Sequence, residues 1–455
     1  MAILFLHSGQ PSVDLLKKAA DESVVFSITY TPDQWDWVIR WGNVTGPEVP
    51  SIELNTASAL KRLYSRTDAA KCFAVNRVQF LPRSSQMISR GAVAYRIHLV
   101  DMNPISVSLY RNGKFRTISD CTTPRIDKAI RLARKALYCL GLHFGRVDLG
   151  YTEKGKLCVL SVSAAPKVTK QLAERYMSAL LVAIKHRLSS ESIASISVVL
   201  GADPEFMMIS PSTKRIIFAS DFFPREGVVG YDNQSYFRDR RNHPIAELRP
   251  SPSSSPTQLV RELKEALERA AEKTQRTNCL WLAGSAPVKG YSIGGHIHFT
   301  GVPLTFDLVK AFDNYLAIPC MLIEHPKRAA MRRPKYGFLG DVRTKAHGGF
   351  EYRTPSSWLV SRRIAEAILY LAKLVAVEHK NLKGDFLWSI DAVEDFYKAR
   401  KRRFRLIIGK LWSDIERTQY YQKCCQKILV IKKLIDSKRI WREQSDIRKS
   451  WGIHS

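Results

Sequence analysis

The spacing of apolar positions changes several times along the chain, and each change marks a predicted element. Near the start, Ile3–His7, Val24–Tyr30 and Trp37–Gly42 read as strands or short turns around a helix over Ser12–Ala20. Ser58–Ser65 predicts a second helix. Ala92–Val100 and Ile105–Tyr110 predict paired strands, followed by a turn at Asn112-Gly113, a dipeptide suited to a two-residue hairpin. Ile126, Ile130, Ala133 and Leu137 form one stripe, which predicts a helix over Arg125–Leu140. Strands Gly145–Tyr151 and Leu157–Val162, split by a turn at Glu153-Lys154-Gly155, and a helix over Val168–His186 complete this region.

A second region opens with a strand over Ile196–Gly201 that runs into Asp203 and Glu205. A hairpin from Phe206 to Phe218 turns at Pro211-Ser212-Thr213-Lys214. A polar stretch over Gly230–Asn242 leads to the strand bearing Glu247. Ser255 is placed to cap a helix over Thr257–Thr274, with Pro256 in its first turn and Leu259, Leu263, Ala266, Leu267 and Ala270 on its core side. Helices over Phe306–Leu316 and Arg362–Glu378 flank a strand bearing Glu351.

Four strand-like pieces here share one property. In an extended chain alternate side chains share a face, so His296 pairs with His298, Glu351 with Arg353, Glu247 with Arg249 and Asp203 with Glu205. Laid side by side, these pieces make a sheet face crowded with carboxylates, imidazoles and guanidinium groups. Burying such charges alone costs several kcal/mol or more each, so the face calls for a cation or an ionic substrate. The competing reading of Asp203 is that it shapes the backbone before Pro204. That of the Glu247/Arg249 pair is a structural ion pair.

Composition narrows the picture. At 455 residues with 45% apolar content, the chain is long enough for two or three folded domains. A formal net charge of +29 favours polyanionic partners. Residues 395–455 hold 17 Lys and Arg against 6 Asp and Glu, densest from Lys398 to Arg405, on a helical pattern that either docks on the rest or grips a polyanion. Eight cysteines without a CxxC pair predict a reducing, cytoplasmic setting. The opening residues read as a strand and not a leader, and no apolar stretch predicts a membrane span.

The first region resembles the second half of an ATP-grasp domain. The matching pieces are Tyr95-Arg96-Ile97-His98, Gly145-Arg146-Val147-Asp148 and the strand Leu160–Ala165 before Pro166. Ser161 and Ser163 stand where that family places a magnesium-binding Glu and Asn, and hydroxyls serve a hard cation poorly. The stretch between Asn55 and Arg90 is also short for a nucleotide-covering lobe. The resemblance therefore implies a degenerate ATP-grasp-like domain without catalysis.

The wording GADPEF, AELRPSPSSSP, GGHIHF and YGFLGDVRTKAHGGFEYRTPSSWL resembles the phage-type carboxylate–amine ligases, or amidoligases, of the glutamine-synthetase superfamily, over roughly residues 197–380. The expected fold class is α+β. It comprises a degenerate ATP-grasp-like domain over 1–195, a glutamine-synthetase-like antiparallel catalytic sheet with flanking helices over 196–384, and a basic helical region over 385–455. The resemblance implies an ATP-dependent ligase that forms an amide or peptide-like bond through an acyl phosphate, with ATP and Mg2+ or Mn2+ as cofactors. Oxygen ligands suit magnesium, so Glu205, Glu247 and Glu351 are the natural holders. By resemblance His296 is a further metal ligand, and His298, with Arg249, contacts nucleotide or phosphate. Arg343 and Lys345 sit in a Gly-containing segment, Arg332–Gly349, that reads as a phosphate-clamping loop. Arg353 would stabilise the acyl phosphate. The implied partners are a carboxylate and an amine substrate (peptide, cell-wall fragment or protein terminus), with an oligomer also allowed. One nucleotide site is expected, and Glu351→Gln is expected to relieve repulsion among the acids.

Two readings from other classes remain open at this point. A metal-dependent hydrolase would use His296, His298 and Glu351 around zinc, although no closed zinc pattern is present. A non-enzymatic nucleic-acid-binding protein would explain the charge but not the acidic strand faces.

Overall fold

The computed structural model describes residues 2–31, 35–44, 52–81, 88–119, 121, 123–188, 198–345 and 348–453. Two compact units make up the chain: the first spans Met1–Ser190 with Leu304–Phe306, and the second spans Glu191–Pro303 with Asp307–Ser455.

Unit 1 holds two sheets. The apolar runs near the start become β1 (Ile3–His7), β2 (Val24–Ser27), β3 (Trp37–Trp41) and β4 (Ile52–Leu54), a parallel sheet in the order β2-β1-β3-β4. Every residue of β1 and β3 is buried, as befits parallel strands covered on both faces. The second sheet is antiparallel and contains β5 (Ile88–Val100), β6 (Asn103–Arg111), β7 (Lys114–Thr117), β8 (Phe144–Thr152) and β9 (Leu157–Ser163), in the order β7-β6-β5-β8-β9. Asn112 and Gly113, with φ of 49° and 77°, close the β6–β7 hairpin as their sequence implies. Helix Pro124–Leu140 packs on β8 and β9, and helix Lys170–Leu188 buries Tyr176, Met177 and Leu180 in a core shared with Trp37 and Trp41.

Asp148 lies at the centre of the antiparallel sheet and is fully buried. Its β5 and β9 partners in register are Arg96 and Ser161. Arg96 donates to Asp148 from Nε at 2.9 Å and from Nη2 at 3.3 Å, the Arg146 Nε is 3.5 Å away, and Ser161 Oγ donates at 3.2 Å. Guanidinium groups thus neutralise the carboxylate that a metal-binding sheet would offer to a cation.

Unit 2 carries an eight-stranded sheet. Its strands are β10 (Val199–Ile209), β11 (Ile216–Ile217), β12 (Val229–Tyr231), β13 (Ile245–Leu248), β14 (Leu280–Leu282), β15 (Gly295–Thr300), β16 (Val342–Thr344) and β17 (Phe350–Tyr352). The main path is β12-β13-β10-β15-β17-β16, with β11 and β14 pairing the far end of β10. Of the strand expected from Ile196, Ile196 itself and Ser197 lie outside the described residues. The expected helix over Phe306–Leu316 ends at Phe312 and widens into a π-turn over Asp313–Ala317. Pro319 follows, and it has no N–H to give the carbonyl four residues back.

Helix Pro256–Thr274 packs on β10, β12 and β13, and helix Arg362–Glu378 packs against that helix. Ser255 caps the first by accepting the Gln258 N–H at 3.3 Å. The basic C-terminal stretch folds into helices Ile390–Tyr397, Lys401–Glu416, Gln419–Asp436 and Ile447–Trp451, which belong to unit 2. Lys401, within the basic run, is buried and donates from Nζ to the carbonyls of Leu322 and Glu324 at 2.9 and 2.5 Å. It caps a helix end and is not open to a polyanion. The last residues close the unit. Trp441 N–H donates to Ile323 O at 2.8 Å, Arg448 Nη2 to Cys279 O at 2.5 Å, and Trp451 Nε1 to Leu359 O at 2.7 Å.

His98 supplies a pH test of unit 1. It is buried, and its Nδ1 meets the Tyr176 hydroxyl at 2.9 Å. Burial, aided by Arg146 and Arg96 and opposed by Asp148, lowers its pKa to about 3. Between its ordinary 6.5 and about 3 the unfolded chain therefore binds the extra proton, so stability falls as pH drops through that window. The variant His98→Asn, which can still meet Tyr176, should lose less stability than wild type between pH 7 and pH 4.5. Hydrogen exchange of β5 and β8 amides reads this directly.

Candidate active site

The site is a consequence of register. Glu205 on β10 lies opposite Glu247 on β13, and Asp203 lies opposite His296 on β15. His298 lies opposite both Gly201 on β10 and Glu351 on β17, and Glu351 lies opposite Arg343 on β16. Because side chains alternate, all of these share one face, while Phe206, Ile297, Phe299, Phe350 and Tyr352 fill the core behind. The polar face floors a cleft of about 320 Å³, lined among others by Asp203, Asp232, Glu247, His296, Arg343 and Lys345.

Asp203 stands between the two imidazoles. His296 Nδ1 is 3.0 Å from its Oδ1, and His298 Nε2 is 3.1 Å from its Oδ2. Glu351 Oε1 is 3.3 Å from the same His296 Nδ1. Arg343 holds Glu351 Oε2 with Nε at 2.9 Å and Nη2 at 2.6 Å, Lys345 Nζ is 2.9 Å from it, and Arg353 donates to Oε1. Glu205 accepts the Gly294 N–H at 2.6 Å and the Tyr336 hydroxyl at 3.0 Å. Arg249 bonds Glu247 and also donates to Arg225 O at 3.1 Å, so it lines the cleft as half of an ion pair.

Burial and charge pull these groups in opposite directions. Burial, with Asp232 and Glu247, pushes the Glu205 carboxyl well above the usual range. Burial and Asp203 push Glu247 up to about 7. At Glu351 burial and Asp203 also push upward, but His296, Arg353 and Arg343 outweigh them and hold it at about 2. Asp203 resists burial in the same way and is held low by His296 and His298. Burial and Arg353 lower the His296 pKa, against the upward pull of Asp203 and Glu351.

The donor set fits a divalent cation. Asp203, His296 and Glu351 bring ligand atoms within 4.8 Å of one another, and so do Glu205, Glu247 and His296. Asp203 Oδ1, His296 Nδ1 and His298 Nε2 are buried without a hydrogen bond. Oxygen ligands with one imidazole suit Mg2+ or Mn2+.

The sequence-derived residues Glu205, Glu247, His296, His298, Arg343, Lys345, Glu351 and Arg353 thus gather at one place, with Arg249 at its rim. Three readings need correction. Asp203 is not a shaper of a turn; it lies inside β10 and faces the histidines. The segment Arg332–Gly349 is not one loop, because Arg332 ends helix Pro326–Arg332 and β16 sets Arg343 opposite Glu351; Ala346 and His347 lie outside the described residues. The repulsion of Glu351 by Asp203 is outweighed, since Arg343, Lys345 and Arg353 hold its carboxylate. Asp232 and Tyr336 were missed altogether. Asp232 follows the short strand β12 and Tyr336 follows a helix, and nothing periodic in the sequence marks either.

Comparison with known proteins fits this geometry. Residues 200–453 match the family described as phage phiEco32-like COOH.NH2 ligase-type 2. The chain belongs to that family. It is a carboxylate–amine ligase, an enzyme that forms carbon–nitrogen bonds, and the hydrolase reading falls away. No curated protein matches the chain in sequence. In structure it is similar to the ATP-grasp ligase PsnB complexed with precursor peptide PsnA2 and AMPPNP (8% identity, 40% of this chain, 96% of that chain, TM-score 0.31). It is also similar to a RimK domain protein ATP-grasp from Sphaerobacter thermophilus (9% identity, 39% and 98%, TM-score 0.31). A third similar structure is the D-alanine–D-alanine ligase from Bacillus anthracis complexed with ATP (9% identity, 40% and 96%, TM-score 0.30). Among the described residues of the ligase, no helix is long and apolar enough to cross a membrane.

The ion pairs make opposite predictions for two carboxylates of the ligase. Glu351→Gln strands Arg343, Lys345 and Arg353, and should cost about 3–5 kcal/mol, the range for breaking a buried pair. Glu205→Gln removes a carboxylate crowded by other acids and should leave stability unchanged or raise it. Thermal melts without added metal should separate the two variants clearly.

Proposed function

We propose that the cleft activates a carboxylate as an acyl phosphate and passes it to an amine. The supporting observation is the juxtaposition of buried ligand atoms without hydrogen bonds, Asp203 Oδ1 and His296 Nδ1, with a wall formed by Arg343, Lys345 and Arg353. Asp203, His296 and Glu351 on one side, with Glu205 and Glu247 on the other, would hold Mg2+ or Mn2+. Such cations neutralise phosphate oxygens during phosphoryl transfer.

Arg343 and Lys345, now on Glu351, are placed to transfer to ATP phosphate oxygens. His298 and Arg249 flank the nucleotide. A substrate carboxylate oxygen attacks the γ-phosphorus, and ADP leaves. Arg353, half-buried beside Glu351, stabilises the charge on the acyl phosphate. The amine lone pair then forms the C–N bond, the C–O bond to phosphate breaks, and the surplus proton leaves with phosphate or solvent. The substrates are peptide-like: a peptide, a cell-wall fragment or a protein terminus.

The test is ADP release and hydroxamate formation with a panel of amino acids and peptides as acids, using hydroxylamine to trap acyl phosphate. Wild type should give both products only with Mg2+ or Mn2+. Arg343→Ala and Glu351→Gln should lose at least ~100-fold, a usual scale for removing an electrostatic stabiliser. Asp148→Asn should retain activity, because arginines already occupy that carboxylate. Calorimetry with a slowly hydrolysed ATP analogue should give one nucleotide per chain. A second site, or loss in Asp148→Asn, would move the chemistry to unit 1.

We further propose that a polyanion binds the outer face of helix Lys401–Glu416. Arg402, Arg405 and Lys410 are exposed there beside Leu406, whereas Arg400 and Arg403 pair with Asp395. Neutralising Arg402, Arg405 and Lys410 should weaken DNA or RNA binding and flatten its salt dependence by about one unit of slope per lost phosphate contact. Unchanged binding would leave those residues as a solvated face.

A further inference from the structure

Tyr336 follows helix Pro326–Arg332 and lies outside the strands that carry the acids. Its hydroxyl is nevertheless 2.7 Å from His296 Nε2 and 3.0 Å from Glu205 Oε1. The ring is held in place. The Arg332 guanidinium lies over it at 4.8 Å, and the His296 ring meets it edge-on with centroids 5.7 Å apart. Arg332 is itself fixed, donating to the carbonyls of Ile293, Thr354 and Pro355 at 2.9, 2.7 and 2.8 Å. Gly294 leaves the room required: a Cβ there would fall 2.4 Å from His296 Nε2 and 3.0 Å from the Tyr336 oxygen. Several separate chain segments cooperate to form one small contact.

Hydrogen counting restricts how that contact is wired. A phenol has one hydrogen, and a neutral imidazole has one N–H. If Tyr336 donated to Nε2, the proton would sit on Nδ1, which makes no hydrogen bond and faces Asp203 and Glu351. If Nε2–H donates to the Tyr336 oxygen, the hydroxyl passes its own hydrogen to Glu205 Oε1. Nδ1 then keeps its lone pair, aimed between two carboxylate oxygens. Only the second arrangement leaves a lone pair on the Nδ1 side, which with Asp203 and Glu351 makes a set of three ligands. Ligand histidines commonly have their other ring nitrogen tied in this manner.

We propose that Tyr336 is a positioning residue: it accepts the His296 Nε2 proton contact, relays it to Glu205, and so presents Nδ1 to the cation held with Asp203 and Glu351. This rests on the divalent-cation reading of the site above. One imidazole cannot then serve both acid groups, so Glu205 and Glu247 hold their ion through carboxylates and not through His296.

Tyr336→Phe removes the hydroxyl and keeps the ring against Arg332 and His296. Mn2+ titration followed by electron paramagnetic resonance, without nucleotide, should show the tighter site weakened about 10- to 100-fold in the variant, the usual effect of losing such a partner. A purely packing role, which Phe preserves, would leave both Mn2+ affinity and the metal-free thermal midpoint at the wild-type value, whereas loss of the two buried hydrogen bonds should also lower that midpoint. Equal Mn2+ affinity in both proteins would remove the role of Tyr336 alone. No Mn2+ binding by wild type would overturn the cation reading as well. If the variant fails to fold, 15N-histidine spectra of wild type titrated with Mg2+ decide the matter. His296 Nδ1 should shift while Nε2 stays protonated, and a shift at Nε2 would overturn the proposal.

Discussion

Carboxylates buried on one sheet face are the constraint around which unit 2 is built. An uncompensated buried charge costs several kcal/mol, a large part of the stability of an ordinary domain. Each acid meets this cost differently. Glu351 is surrounded by cations, Asp203 lies between imidazoles, Glu247 pairs with Arg249, and Glu205 takes a backbone N–H and a hydroxyl. The result is a graded face, with firmly ionised acids at the arginine end and acids of raised pKa at the other. That gradient gives the two acid groups on either side of His296 different characters.

Much of this face was legible because a strand has a period of two. The pairs His296/His298 and Glu351/Arg353 announce a shared direction regardless of fold, and antiparallel register then brings them to Asp203 and Arg343. The amphipathic helices were equally clear, since Ser255 and the Leu259–Ala270 stripe are local signals. What stayed hidden depends on contacts distant in sequence. Tyr336 is 131 residues from Glu205, and Lys401 is 79 residues from the carbonyl it caps. Within a dense basic run, composition cannot tell a buried lysine from solvated neighbours such as Arg402. Nor can strand periodicity show that the carboxylate of Glu351 is already engaged by Arg343 on the neighbouring strand.

The closing segment over residues 441–451 has a consequence for biosynthesis. It reaches back to Ile323, Cys279 and Leu359, which flank the sheet on several sides. Translation delivers the acid-bearing strands long before it delivers this clasp. The carbonyls of Ile323, Cys279 and Leu359 therefore stay without these donors until residues 441–451 have been made. During that interval exposed apolar strands can meet those of other nascent chains. Slow translation of the basic helices would lengthen the exposure, and chaperone demand should concentrate there and not at the chain's beginning.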